Sequence, residues 1–376
     1  MQISQWTNHC SAAFLILLII GQPIIVSGAK PDLNDLTLPS GFTISWFHKG
    51  IKGARSLALG KQGTVFVSTR RRSGKIYALR DTNNDGIADQ RFIIARGLNV
   101  PNGIAFYNND LYVAEIHQIV RYPNIESRLN TPPEPIVVYD KLNNKRHHGW
   151  RYIAIKKGKL VIAVGAPCNV CSVDNTAEIR QINLSTLKTV ALAQGVRNSV
   201  GFDWHPLTGQ LWFTDNGRDF MGDTIPADEL NVVTKNGQHF GFPICHGGTV
   251  LDPVFGKNKH CKNYTKPAWR FTAHAAPLGM RFYSGTMFPK KYQQQLFVAQ
   301  HGSWNRSNKV GYNIMLLRLD KHHRTIISAT PFITGWLKNE ASTGRPVDLL
   351  VMPDGSILIS DDKAGALYRV RYEAKK

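Results

Sequence analysis

Three histidines in this sequence have neighbours that suggest acid–base chemistry at an anionic ligand. His147 and His148 lie four and three residues before Arg151, and His301 is followed five residues later by Arg306. Imidazole titrates near neutral pH, so it is well suited to take a proton from a hydroxyl group. If the fold brings these side chains together, the arginines would attract an anionic ligand and a histidine would take a proton from a hydroxyl group.

Six copies of one short pattern indicate which elements could position these residues. Each copy contains an apolar triplet with strand character, and the first four triplets start 46, 49 and 51 residues apart. The next two gaps, 85 and 61 residues, contain insertions. The triplets lie at 65–67, 111–113, 160–162, 211–213, 296–298 and 357–359. A further strand follows each of them, at 75–77, 118–120, 178–180, 229–231, 313–315 and 366–368.

The spacing of this pattern is typical of one architecture. Repeats of about 40–50 residues that hold several short strands indicate a β-propeller. We see no long helical period after the first 30 residues. The sequence therefore predicts an all-β fold, a six-bladed β-propeller with four-stranded antiparallel blades. It forms a single domain over residues 30–376.

The propeller geometry predicts where polar side chains converge. The first strand of each blade lines the central channel and the second runs antiparallel to it, so the start of one and the end of the other meet at the same mouth. The first strands are predicted to start at Arg55, Asn102, Arg151, Asn198, Leu278 and Arg345. The second strands end at Thr69, Glu115, Val164, Asp215, Gln300 and Asp361. Five of six residues are polar in each set, which predicts a polar and partly cationic site.

The composition excludes several classes of protein. The chain has 46 Lys+Arg against 26 Asp+Glu, a net charge of +20, and 43% hydrophobic residues. A disordered chain would be less hydrophobic, and five cysteines in 376 residues are too few for a small disulfide scaffold. The charge predicts attraction to anions. Without a basic helix or an aromatic RNA-binding signature we expect no nucleic-acid partner, but weak association with an anionic membrane surface.

The N-terminal segment predicts export. Residues 12–26 are apolar but fewer than the roughly 20 residues that a spanning helix needs. Small residues at Ser27 and Ala29 precede Lys30. We therefore predict a signal peptide over residues 1–29 and a periplasmic or secreted protein, with an uncleaved anchor as the alternative.

Four cysteines remain after this segment, an even number that suits an oxidising compartment. Their proximity along the chain favours two disulfides, Cys168–Cys171 and Cys245–Cys261. Redox or metal chemistry at the Cys168–Cys171 pair is the alternative. The residue after this pair is Ser172, so it is not a haem attachment motif, which needs histidine there.

A series of short motifs, in order along the six repeats, resembles a known family. They lie at 147–152, 164–171, 197–198, 214–218, 228–231, 240–243 and 344–348. On these motifs the chain resembles the soluble quinoprotein sugar dehydrogenases, specifically the sorbosone dehydrogenase-like branch, over roughly residues 38–372.

The resemblance implies a chemistry. Pyrroloquinoline quinone (PQQ) would lie at the channel mouth, where its three carboxylates suit an arginine-rich rim. Ca²⁺ would polarise the quinone, and a histidine, His148 ahead of His147, would act as the general base. The substrate would be an aldose or a related sugar aldehyde, and electrons would pass to an external acceptor, a quinone or a cytochrome. The cofactor-binding residues would be Arg197, Asn198, Asn216, Asp228, His301, Arg345 and Asp348.

Two calcium sites are predicted. The resemblance implies main-chain oxygen ligands at Gly217 and Arg218, although relatives have proline in place of Arg218. A second site follows from the residues alone, because the segment 81–89 has the spacing of a calcium loop. Its ligands would be Asp81, Asn83, Asp85, the Ile87 carbonyl and Asp89. A hairpin held by its own polar side chains is the alternative.

Two other functions fit the same fold. A lactonase-type hydrolase would use a metal held by carboxylates, which Glu115, Asp215 and Asp361 could supply. A propeller that only binds a partner is the second alternative, because one fold hosts many functions.

Overall fold

The computed structural model describes residues 31–373, in which nearly all regular structure is β-strand. The predicted signal peptide over residues 1–29 lies outside the described residues. Within 31–373 no helix is long and apolar enough to cross a membrane.

Six four-stranded antiparallel arrangements form the blades of a propeller, which confirms the predicted fold. Blade one contains the strands Ala54–Leu59, Val65–Thr69, Gly74–Arg80 and Gln90–Leu98. Blade two contains Gly103–Tyr107, Asp110–Ala114, Ile119–Tyr122 and Ile136–Tyr139. Blade three contains Ile153–Lys156, Lys159–Val164, Glu178–Asn183 and Thr189–Gln194, and a short parallel strand, Gln238–His239, extends it.

The remaining blades follow the same order, with insertions between their strands. Blade four contains Phe202–Trp204, Leu211–Asp215, Asp228–Val233 and Trp269–Phe271. Blade five contains Pro277–Phe282, Leu296–Gln300, Asn313–Leu319 and Ile326–Ile333. Blade six contains Pro346–Val351, Ile357–Asp361 and Ala366–Tyr372. Two small hairpins, Cys245–His246 with Val250–Leu251 and Leu337–Lys338 with Ala341–Ser342, lie outside the blades.

The ring closes by pairing the two ends of the described chain. The strand Phe42–Lys49 joins blade six as its outer strand, with Phe42 opposite Tyr372. Phe42 packs edge-on against Phe288 and Phe332, with ring centroids 4.8 and 4.9 Å apart. Burial of these aromatic rings joins the first strand to blades five and six, a closure that the repeats alone did not predict.

An apolar cluster lies between each pair of neighbouring blades, built from the alternate residues of their strands. The described helices are single 3-10 turns between strands. They are Leu33–Asp35, Ile125–Ser127, Cys261–Asn263 and Lys290–Tyr292. Both predicted disulfides, Cys168–Cys171 and Cys245–Cys261, are formed.

A repeated hydrogen bond fixes the inner strands at the channel mouth. A hydroxyl near the end of one blade's second strand donates to a carbonyl at the start of the next blade's first strand. Ser360 donates to the Arg55 carbonyl at 2.5 Å, Ser68 to the Asn102 carbonyl at 2.5 Å, and Thr214 to the Leu278 carbonyl at 2.7 Å. These buried bonds set the positions of the residues that the sequence predicted at the strand starts.

Candidate active site

A cavity of about 350 Å³ opens at the channel mouth, and it brings together residues from all parts of the chain. Charged and imidazole side chains dominate its wall. The lining residues of these types are Arg55, Arg70, Arg197, Arg345, His147, His148, His274, His301, Asp219 and Asp228. The predicted convergence at one mouth therefore holds for the three histidines and for Arg55, Arg197 and Arg345, whereas Arg151 does not line the cavity.

His148 has the geometry of a general base. It is buried, whereas its neighbour His147 is exposed. Its Nδ1 donates to the Ala166 carbonyl at 2.8 Å, which leaves the Nε2 lone pair free, since no residue in 31–373 bonds to it. Burial, together with the positive charge of Arg197 and with His147, holds the pKa of His148 well below its usual range. A neutral imidazole with one fixed nitrogen and one free nitrogen can accept a proton.

His301 forms part of a buried ionic network. Its Nε2 donates to Asp362 at 2.9 Å, and the other oxygen of Asp362 accepts from Arg55 at 2.9 Å. Burial, opposed by Asp362 and reinforced by Arg345, lowers the pKa of His301 to about 4. His301 is therefore neutral near pH 7, and Asp362 balances the charge of Arg55.

Arg197 lies against the cavity, but all five of its N–H donors are already used. Nε donates to the Asn169 carbonyl at 2.8 Å, and Nη1 donates to the carbonyls of Asn216 and Gly217 at 3.1 and 2.7 Å. Nη2 donates to the Asn169 side chain at 2.8 Å and to Asp219 at 2.7 Å. In this arrangement Arg197 offers a ligand its positive charge and no free hydrogen bond, which differs from the direct contact that the resemblance implied.

The other three arginines keep donors for a ligand. Arg55 bonds through Nε to Asn102 and through Nη1 to Asp362. Arg345 bonds through Nε and Nη2 to the carbonyls of His301 and Gly302. The guanidinium of Arg70 stacks on Trp150 at 4.7 Å, and within 31–373 its N–H groups have no acceptor. These three side chains therefore have guanidinium N–H donors left with which to bind an anion.

The predicted residues Asn198, Asn216 and Asp228 also line the cavity. Trp150 donates to the Asn198 side chain at 3.1 Å, and Asn216 donates to the Asn198 carbonyl at 2.9 Å. Asp228 accepts from the main-chain N–H groups of Gly217 and Ala276 at 2.7 and 2.8 Å, and burial raises its pKa to about 6. Asp228 therefore holds two loops of the cavity wall together.

Asp348 does not reach the cavity. It is buried inside the channel, where it accepts from the Leu57 main-chain N–H at 3.0 Å. Arg281 lies 3.7 Å from the same carboxylate and donates to Tyr152 at 2.7 Å. The structure gives Asp348 a role in filling the channel with paired charges, and this placement does not support the cofactor-binding role implied for it.

The carboxylates at the ends of the second strands also have structural partners. Glu115 accepts from the Asn99 main-chain N–H at 2.5 Å, Asp215 from that of Arg197 at 2.8 Å, and Asp361 from that of Arg345 at 2.9 Å. Each carboxylate therefore ties the loop before the first strand to the second strand of its own blade. Within the described chain, no three His, Cys, Asp or Glu side chains meet as a metal site.

One of the two predicted calcium ligands at the cavity already has a hydrogen-bond partner. The Gly217 carbonyl accepts from Arg197 at 2.7 Å, so a divalent cation there would face a guanidinium charge. The Arg218 side chain pairs with Asp252, which does not line the cavity. The Gly217 carbonyl is therefore already engaged in this arrangement, and calcium binding by the main-chain oxygens of Gly217 and Arg218 stays a prediction.

Hydrogen bonds within the predicted calcium loop at 81–89 hold its turn, although Asp81 Oδ1 is buried without a partner among residues 31–373. Asp81 accepts from the Gly86 N–H at 2.9 Å, Asp85 from the Ile87 N–H at 2.7 Å, and Asp89 from the Thr82 N–H at 3.0 Å. Asn83 bonds to Asp85 at 3.0 Å. This is the geometry of the alternative, a polar hairpin, and calcium binding at this loop stays a prediction.

Two exposed aromatic rings stand at the rim. Trp304 lines the cavity and is 65% exposed, and Phe220 is 70% exposed with its ring centroid 5.6 Å from that of Trp304. Phe220 also has a φ of 65°, a strained value for a bulky residue. Arg306 and Ser307 bond to Asp223, which ties the loops of the two rings together. Such a pair offers an apolar platform to a ligand at the mouth.

Arg70 and Asp362 were not among the predicted site residues, because each lies one position beyond the end of a second strand. The residues that follow the second strands of blades one, four, five and six are Arg70, Asn216, His301 and Asp362. Successive strand residues point to opposite sides, so the strand-end residue bonds to the main chain while the next one faces the cavity or its network. The position after each second strand is thus the sequence signal that marks Arg70 and Asp362.

Comparison with known proteins identifies the family. A family model described as Glucose / Sorbosone dehydrogenase matches residues 181–369, half of the chain. The chain belongs to the glucose/sorbosone dehydrogenase family. This confirms the resemblance stated from the motifs. A second model, described as TrAA12-like, matches residues 36–257.

Similar sequences and solved structures cover most of this chain. An uncharacterized protein of Borreliella burgdorferi is 38% identical over 365 residues, 93% of this chain and 94% of that protein. The iodide structure of a Trichoderma reesei carbohydrate-active enzyme of family AA12 has a TM-score of 0.79 at 19% identity, covering 90% of this chain and 98% of that one. The holo PQQ domain of Coprinopsis cinerea pyranose dehydrogenase has a TM-score of 0.75 at 19% identity, covering 92% and 99%. At these identities the two structures share the fold.

Proposed function

We propose that this protein is a PQQ-dependent dehydrogenase that oxidises an aldose or a related sugar aldehyde and passes the electrons to an external acceptor. The observation that carries the proposal is the buried, neutral His148 with a free Nε2, set in a cavity lined by four arginines. Membership of the glucose/sorbosone dehydrogenase family and the shared fold with PQQ-containing structures support it.

The residues fit a flat, polyanionic quinone. The cavity volume of about 350 Å³ suits a tricyclic molecule. Arg55, Arg70 and Arg345 supply free N–H donors for carboxylates, and Arg197 adds charge at the wall. The quinone, when bound, supplies the hydride acceptor. The chain's residues bind it, orient it and keep the base unprotonated.

His148 would take the proton of the substrate hydroxyl at Nε2. The hydrogen bond from Nδ1 to the Ala166 carbonyl fixes the tautomer and the direction of the ring. Because His148 is buried and Arg197 lies nearby, a protonated His148 is disfavoured in the resting state, so the base remains available below neutral pH.

The aromatic pair supports a carbohydrate substrate. Trp304 and Phe220 are too exposed to serve the core, and they stand at the opening through which a substrate must enter. An aromatic face can pack against the apolar side of a sugar ring. We infer that the sugar binds between this platform and His148.

A titration tests the proposal. Purified protein is mixed with PQQ, with and without Ca²⁺, and binding is followed by the absorbance of the quinone. We expect saturable binding, and dye reduction when aldoses are added. The variant Arg70→Gln should weaken binding and its matched control Arg72→Gln should not, because Arg70 alone of the two lines the cavity. Absence of saturable binding under both conditions would overturn the proposal.

A further inference from the structure

The Cys168–Cys171 bridge encloses only two residues, Asn169 and Val170, and it lies beside the cavity wall. Its cysteines and Asn169 are half-buried, so solvent and small reagents reach them. The proposed chemistry does not use this bridge.

Asn169 makes the contacts that hold the cavity's buried arginine. Its carbonyl accepts from Arg197 Nε at 2.8 Å, and its Oδ1 accepts from Arg197 Nη2 at 2.8 Å. The same Oδ1 accepts from the Asp219 main-chain N–H at 2.9 Å, and Nδ2 donates to the Asp219 carbonyl at 3.2 Å. Asp219 in turn pairs with Arg197 at 2.7 Å. One asparagine therefore fixes both charged groups of this wall.

We propose that Asn169 is a positioning residue for Arg197 and Asp219, and that the Cys168–Cys171 bridge locks it in place, so that reduction of the bridge loosens the anion-binding wall. Without the bridge, the segment that contains Asn169 and Val170 would sample many backbone conformations, and the bridge restricts it to few. A dithiol would reduce the bridge by giving it two electrons and two protons. The S–S bond between Cys168 and Cys171 breaks, two thiols form, and the dithiol is oxidised to a disulfide.

The effect on an anionic ligand follows from the ordering of Arg197. In the oxidised protein its guanidinium is already fixed at the cavity wall by five hydrogen bonds. Two of these bonds go to Asn169. Without them the side chain must be ordered when the ligand binds, which weakens binding roughly two- to tenfold.

The test compares four forms of the full chain: wild type, Asn169→Ala, the double variant Cys168→Ser/Cys171→Ser, and Ser172→Ala as the matched control. Ser172 follows the bridge and, within residues 31–373, its hydroxyl makes no hydrogen bond. Hydrogen–deuterium exchange over residues 214–222 reports the Asp219 N–H directly. Affinity is measured with PQQ and with citrate, a simpler tricarboxylate. Wild type is also reduced with a dithiol and then reoxidised, in case the double variant folds poorly.

We expect faster exchange at 214–222 and weaker anion binding in Asn169→Ala, in the double variant and in the reduced wild type. Ser172→Ala should match wild type in exchange and in anion binding. Reoxidation of the reduced wild type should restore both properties. Unchanged exchange after loss of the bridge would overturn the inference. The affinity measurements rest on the proposed function, but the exchange measurements do not. If wild type binds neither anion, the proposed function fails while exchange still decides whether the bridge locks Asn169.

Discussion

Replacing His148 with asparagine separates its role as a base from its role in the fold. His148 has a φ of 47°, in the left-handed region, and asparagine tolerates that region better than most residues. The asparagine amide also occupies the place of Nδ1 and can donate to the Ala166 carbonyl, as His148 does at 2.8 Å. What the substitution removes is the Nε2 lone pair.

The expected decrease in the kcat of His148→Asn follows from the proposed role of His148 as a general base. A positioned general base contributes roughly 10²- to 10⁴-fold to a rate, or about 3–5 kcal/mol of barrier. We expect the kcat of His148→Asn to fall by that factor, whereas PQQ affinity changes by less than about threefold. The neighbouring variant His147→Asn is the control, because His147 is exposed at the same cavity.

The assay is steady-state dye reduction by the PQQ-loaded protein, with quinone binding measured in parallel by absorbance. For wild type, the low pKa of His148 predicts that activity persists as the pH falls below 6.5, the ordinary histidine value. Retention of more than a tenth of wild-type kcat in His148→Asn, or a larger loss in His147→Asn, would refute the assignment of the base.

Two further predictions concern the rim and the buried network. Trp304→Ala should raise KM for an aldose roughly two- to tenfold with little change in kcat, because it removes a stacking surface. Ile327→Ala, at an equally exposed position on an outer strand, should leave KM unchanged. Equal KM values in the two variants would contradict a role of Trp304 in sugar binding. The folded pKa of His301 is lowered to about 4 from 6.5, so its stabilising contribution is complete above pH 6.5 and is lost as the pH falls toward 4. His301→Gln keeps an N–H donor for Asp362 without titrating. Urea denaturation should therefore show that the free energy of unfolding of wild type falls by about 2 kcal/mol more than that of the variant between pH 7 and pH 4.5. Equal decreases in the two proteins would show that His301 is not the titrating group.

The propeller could be predicted from the sequence because its determinants are local. Each second strand is an apolar triplet bounded by turn residues, and all six predicted triplets lie inside observed strands. Both disulfides were predicted as well, since proximity along the chain restricts the pairing. Closure of the ring by Phe42–Lys49 was not predicted, because the partner of an outer strand depends on contacts between distant segments.

The candidate site was predictable as a set of residues, and only the tertiary structure decided what each residue does. Residue types and strand ends placed His148 and the arginines at one mouth. The sequence could not show that the N–H donors of Arg197 are all bonded to protein acceptors, that Asp348 lies inside the channel, or that Asp362 pairs with His301. Hydrogen bonds and desolvation depend on distances between residues far apart in the chain. Those distances exist only once six blades have closed into a ring.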